Sequence, residues 1–171
     1  MLERDGRIAE LERRADDLQR FDASQPADLF APVKIEIASL SGGVDLDDAP
    51  GDDGVRVHLR PRDADGYIVK APGRVTVQLT DLTDPNLPRL LGVCVVDDAE
   101  ALRKSWYGRF GTNHFTVDCP FAADVTLPSS RSVVVHAEFT GYLTGRTLTA
   151  VKEVAISIPG GEAAGPAGAS D

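Results

Sequence analysis

The sequence predicts an all-β fold, an antiparallel Greek-key β-sandwich of about seven strands, immunoglobulin-like or transthyretin-like in outline, behind an N-terminal α-helix. Two observations carry that expectation. In residues 54 to 82, Val55, Val57 and Leu59 fall on one phase and Arg56, His58 and Arg60 on the other; after Asp63-Ala64-Asp65-Gly66 and Ala71-Pro72-Gly73, Val75, Val77 and Leu79 alternate with Arg74, Thr76 and Gln78. A period of two sends successive side chains to opposite faces, so each strand has one dry face that needs a second layer to cover it. The second observation is that turn signals, not helical crossovers, separate the strand candidates.

Residues 1 to 21 have a different character: Met1, Ile8 and Ala15 share one heptad position and Leu11 and Leu18 another, among Glu3, Glu10, Glu12, Arg13, Arg14, Asp16 and Asp17. This narrow seam reads as a helical stalk or coiled-coil end, with Ile8, Leu11, Ala15 and Leu18 joining copies; a single helix lying on the β-domain is the alternative. Ser24-Gln25-Pro26 ends it, residues 22 to 31 form a linker, and residues 32 to 159 form the β-domain. Its first strand alternates Val33, Ile35 and Ile37 with Lys34, Glu36 and Ala38, and residues 41 to 54, rich in Asp and Gly, form a loop.

After the two defining strands, Pro85 and Pro88 mark a turn, and Leu90 to Val96, apolar on both phases, reads as a central strand. Asp97 to Lys104 has the acidic start and basic end that suit a short helix, and Trp106 to Thr112 reads as a loop. Phe115, Val117 and Cys119 alternate up to Pro120, Val133, Val135, Ala137 and Phe139 alternate with Val134, His136 and Glu138, and Leu148 to Ile158 makes the last strand. Residues 160 to 171 are of low complexity and read as a disordered tail.

A chain of 171 residues, 42% hydrophobic, suits one domain with a real core and a modest appendage. Its formal charge of -9 repels phosphate backbones, so nucleic acid is not an expected partner. No apolar run approaches the roughly 18 residues of a membrane span, and the first residues are charged instead of forming a signal-peptide core. Cys94 and Cys119 lie in two strands flanking one excursion, and either a bridge or two buried thiols fits; a bridge would stabilise by roughly 3 kcal/mol in the chain-entropy model.

Asp45, Asp47, Asp48, Asp52 and Asp53 among flexible glycines supply the oxygen ligands calcium takes, although Ala49 and Pro50 break the EF-hand pattern; the plain reading is a solvated loop using Asp and Gly for its turns. His58, His114 and His136 fall on the polar phases of their strands and could meet at zinc, with Cys94 or Cys119, were those strands neighbours. Arg103, Lys104, Trp106, Tyr107 and Arg109 concentrate basic and aromatic character, which suits an interaction surface, whereas Leu102, Trp106 and Phe110 could instead cap the core. No catalytic constellation is recognisable, and no cofactor is expected beyond calcium.

The run Pro32-Val33-Lys34-Ile35-Glu36-Ile37, then Gly42-Gly43-Val44-Asp45-Leu46-Asp47, Asp53-Gly54, Asp63-Ala64-Asp65-Gly66, Val69-Lys70-Ala71-Pro72-Gly73, Trp106 and Leu143-Thr144-Gly145-Arg146 resembles a family of planctomycete proteins without established activity. The resemblance covers about residues 1 to 158 and implies a charged coiled-coil stalk before a β-domain, often behind an export or lipoprotein signal. It implies a bacterial envelope or periplasmic location if the chain continues before Met1, and a cytoplasmic one applies if Met1 is the native start. The expected function is a non-catalytic interaction or assembly module on a helical stalk, engaging a protein partner or a second copy. The alternative is a calcium-dependent or carbohydrate-binding module.

Overall fold

Alternation in the sequence becomes two facing sheets in the structure, a computed structural model that describes residues 31 to 109, 112 to 128 and 130 to 159. The stalk expected over residues 1 to 21, the linker up to residue 30, and the tail over 160 to 171 lie outside the described residues. In chain order the elements are β1 (Lys34–Ile37), β2 (Gly42–Val44), β3 (Gly54–Arg62), β4 (Gly73–Asp81), β5 (Arg89–Val96), α1 (Ala99–Ser105), β6 (Trp106–Arg109), β7 (Thr112–Pro120), β8 (Ser132–Gly141) and β9 (Thr147–Ala155).

Every strand pairing is antiparallel. In the first sheet β1 and β2 both pair with β3, β3 pairs with β7, and β7 pairs with β6; the second sheet runs β5-β4-β8-β9. The dry phases meet between them: Ile35, Ile37, Val55, Val57, Leu59, Phe115 and Val117 from the first sheet, and Val75, Val77, Leu79, Val133, Val135, Ala137, Phe139 and Val154 from the second, form one buried cluster. Phe115 and Phe139 stack across the middle with ring centroids 6.4 Å apart. This arrangement fits a β-sandwich.

The described residues hold nine strands instead of about seven. The expected 41–54 loop contains β2, whose three residues pair with the start of β3, and the expected 106–112 loop contains β6, which pairs with β7. Both are short and glycine-bearing, so their composition reads as loop while neighbouring strands supply the hydrogen bonds that make them strands. The segment expected to be central is also corrected, because β5 pairs with β4 alone and is an edge. Cys94 and Val96 pack against the core, whereas Leu90, Val93 and Val95 are 52%, 47% and 43% exposed. Hydropathy on both phases cannot tell whether a second face is covered.

The helix expected after β5 forms as its charges suggest: Asp98 caps it by accepting from the Ala101 N–H, Glu100 sits in its first turn, Arg103 and Lys104 sit in its last, and Leu102 is buried. The turn Asp63 to Gly66 leads from β3 back to an isolated antiparallel bridge between Arg62 and Ile68, with the Asp63 carboxylate accepting from Asp65 and Tyr67 N–H groups and Gly66 at φ 87°.

Cys94 on β5 and Cys119 on β7 form a disulfide, with Cα atoms 5.6 Å apart, that ties the two sheets together. The approach is close there: a Cβ on Gly92 would lie 2.6 Å from the Pro120 carbonyl oxygen, so only glycine fits. The Ala122 N–H donates to the Leu91 carbonyl at 2.7 Å and extends the seam. Opening the bridge with Cys94→Ala/Cys119→Ala is expected to cost about 3 kcal/mol, read as a lower urea midpoint than the oxidised parent. An unchanged midpoint would show that the bridge adds nothing to stability.

Candidate functional site

The pleat that buries one face of the first sheet presents the other to solvent, and that outer face gathers unlike residues. From β3 come Arg56, His58, Arg60 and Arg62, from β7 Thr112, His114, Thr116 and Asp118, from β1 Lys34 and Glu36, and from β6 Tyr107 and Arg109. Register sets the neighbours. Glu36 pairs with Arg60, Leu59 with Phe115, and Tyr107 with His114, so the step beyond Leu59 puts Arg60 beside His114 in one rung: Glu36, Arg60, His114, Tyr107.

The His58 and His114 rings meet edge to face at 4.5 Å, and the Tyr107 ring stacks on His114 at 5.3 Å. This cover leaves His114 only 7% exposed although it stands on the outer face. His58 Nδ1 lies 3.4 Å from the Thr116 hydroxyl, and the His58 backbone N–H donates to the Ser41 hydroxyl at 2.9 Å. Arg56 holds Asp118 through two hydrogen bonds at 2.6 and 2.8 Å, and Arg62 donates to Glu36 at 2.7 Å and to the Gly66 carbonyl. Among the described residues, two buried side-chain atoms have no hydrogen-bond partner: Arg60 Nε and His114 Nδ1.

Burial holds the His114 imidazole below its ordinary range, with the neighbouring Arg60 charge adding to the effect. His58 is lowered by the same cause, then by His114 and Arg56. The Arg56 guanidinium lowers Asp118, and that of Arg62 lowers Glu36. Both imidazoles are therefore neutral at pH 7, beside arginines that favour an anion over a metal cation as an incoming group.

The expected surface of Arg103, Lys104, Trp106, Tyr107 and Arg109 is divided. Arg103 and Lys104 lie on α1 within 3.9 and 3.0 Å of Glu100, as exposed pairs worth little. Trp106 is half-buried against Phe115, edge to face at 4.8 Å, with Lys70 Nζ 5.8 Å from its ring centre, and so belongs to the core rim. Only Tyr107 and Arg109 reach the outer face, because alternation in β6 turns Trp106 inward.

The acidic loop brings one carboxylate oxygen each from Asp45, Asp47 and Asp53 within 4.8 Å of one another, whereas Asp48 and Asp52 stand apart. Those carboxylates are in use by the loop: Asp45 accepts from the N–H groups of Asp47 and Asp48, Asp47 from that of Ala49, and Asp53 from that of Leu46. Asp48 has φ 62°, and Asp52 accepts from the Ser157 N–H. The zinc grouping is taken apart, since Cys94 and Cys119 bond to each other and His136 belongs to the second sheet. His58 and His114 do meet; their shared polar phase was visible in the sequence, but the β3 to β7 register that joins them was not. Arg60, Arg62, Lys34 and Asp118 were missed for the same reason.

A scan against protein-family models finds no match to this chain, and searches of curated proteins and of solved structures find none either.

The two lowered histidines have a consequence for stability. The unfolded chain takes up these protons first, near the ordinary value of about 6.5, so the stability they confer is complete above that pH and is lost as pH falls through the folded-state values. Glu36 and Asp118 act in a lower window, below about 4, where depressed carboxylates protonate. The urea midpoint is expected to fall between pH 7.5 and pH 5, and less steeply in His58→Gln/His114→Gln. A wild-type midpoint that is flat over that range would refute this.

Proposed function

We propose that this chain is a non-catalytic interaction module, a Greek-key sandwich of immunoglobulin-like or transthyretin-like type on an N-terminal helical stalk, working in a bacterial envelope. Its recognition surface is the outer face of the first sheet, and its partner is an acidic protein segment. The observation that carries this reading is charge segregation. In a chain of net charge -9, that face carries Lys34, Arg56, Arg60, Arg62 and Arg109 against Glu36 and Asp118 alone, and both acids are held by arginines.

The outer face of the second sheet is the control. There Thr76, Thr80, Thr140, Thr147 and Thr149 mix with Val93, Val95 and Val151, and the charged residues are Arg74 against Glu138 and Glu153, so the basic excess is confined to the first sheet. An acidic polypeptide suits the basic face geometrically, since side chains two apart on an extended chain repeat every ~6.8 Å, as do Arg56, His58, Arg60 and Arg62 along β3. The Cys94–Cys119 bridge supports an oxidising compartment, and it leaves neither thiol free as a nucleophile. Calcium-dependent or carbohydrate binding has less behind it, because the convergent carboxylates already serve the loop's own N–H groups.

Titration with an oligoaspartate peptide tests the surface. Binding is expected to weaken steeply between 50 and 300 mM salt, and Arg60→Gln/Arg109→Gln is expected to weaken it about tenfold, or 1.4 kcal/mol. Equal binding by parent and variant would place the contact elsewhere. The stalk is tested separately by light scattering. The full chain is expected to give a multiple of its own mass where a chain starting at Pro32 gives a monomer, and monomers from both would remove the seam of Ile8, Leu11, Ala15 and Leu18 from the account.

A further inference from the structure

The histidine pair does something on this face that arginines alone would not. Five cations suffice to attract an acidic partner, yet the centre of the face holds two imidazoles in ring contact, one of them nearly buried under Tyr107. Its Nδ1 and the Nε of Arg60, its register neighbour on β3, are both buried without a partner, an arrangement that costs about 1 to 3 kcal/mol per group if nothing satisfies it. Register puts the two residues in one rung, so both unsatisfied nitrogens belong to neighbouring strands at the centre of the face.

We propose that His58 and His114 couple capture of a carboxylate-bearing segment on this face to uptake of a proton, so that the module binds its acidic partner more tightly as pH falls from 7.5 to 5.5. The proposal rests on the reading of this face as the recognition surface and adds its regulation. In the free protein the charged groups facing the pair are Arg56, Arg60 and Arg62 on β3, Lys34 and Glu36 on β1, Arg109 beside Tyr107 on β6, and Asp118 on β7. Asp118 and Glu36 are bonded to Arg56 and Arg62, so a proton on His114 meets Arg60, and one on His58 meets His114 and Arg56, with Asp118 opposing them. An incoming carboxylate reverses that balance, since its charge beside Arg60 offsets the guanidinium that disfavours the imidazolium. By linkage, whatever makes protonation easier in the complex makes binding tighter at low pH. Glu36 and Asp118 stay ionised across this range because their arginines lower them, so the change belongs to the histidines.

The test uses the full chain and an oligoaspartate peptide, whose carboxylates remain charged at pH 5.5. Calorimetric titrations at pH 7.5 and 5.5, each in two buffers of different ionisation enthalpy, are expected to show about tenfold tighter binding at the lower pH, as a one-unit rise in histidine proton affinity gives, with proton uptake on binding. In His58→Gln/His114→Gln the ratio of the two affinities is expected to fall to about one. Because that variant could fail to fold, the imidazole C–H resonances of the wild type give an independent reading, and their titration midpoints are expected to rise when peptide is bound. Equal affinity at both pH values, no proton uptake and unmoved midpoints would overturn the coupling and leave the recognition surface standing. No binding at either pH would instead remove the surface reading itself, and preference for an oligonucleotide of equal charge would replace the acidic polypeptide as occupant.

Discussion

The pleat of β3 and β7 is the constraint on which the rest depends. Val55, Val57 and Leu59 cannot enter the core without sending Arg56, His58 and Arg60 to the other face, and the same holds for Phe115 and Val117 against His114, Thr116 and Asp118. A slip of one residue would put guanidinium groups against Phe139 and valines in water. Core and candidate site are therefore not separate designs laid on one scaffold. Burying Leu59 and Phe115 side by side is what places Arg60 next to His114 on the reverse face.

Around this constraint, the weak points of the two-sheet arrangement are its edges, and each is handled by a different means. At one side the disulfide and the close passage of Gly92 past Pro120 join β5 to the end of β7. At the other, Lys152 takes an inward phase on edge strand β9, and its ammonium reaches the Ile37 carbonyl of β1 at 3.4 Å. Asp81, buried at the end of β4, is satisfied by Thr83 and by Arg89 at 2.8 Å. Against these filled valences, the bare Arg60 Nε and His114 Nδ1 stand out.

Electrostatics gives the molecule two unlike surfaces. A formal charge of -9 spread evenly would leave every face acidic, but alternation in β3 collects four basic or histidine residues on one row. The acidic remainder repels like charge, while the basic face attracts anions most strongly within about one Debye length. The neutral state of the paired histidines follows first from burial, to which Arg60 adds for His114, and His114 and Arg56 add for His58.

Periodicity declared the all-β class and the positions of most strands, charge order the short helix after Asp98, and Asp and Gly the turn at Asp63 to Gly66, because each depends on residues adjacent in the chain. In the strands with a clean alternation, periodicity also showed which residues face out. It did not show β2 and β6, whose glycines read as loop until β3 and β7 supply hydrogen bonds, nor that β5 is an edge, since hydropathy does not know what lies across a sheet. The choice between a bridge and free thiols was left open by the sequence and settled by the meeting of β5 with β7. The site was least legible of all: His58 and His114 are 56 positions apart, and which outward residues of two strands become neighbours is decided by register, a property of the pair that neither strand carries alone.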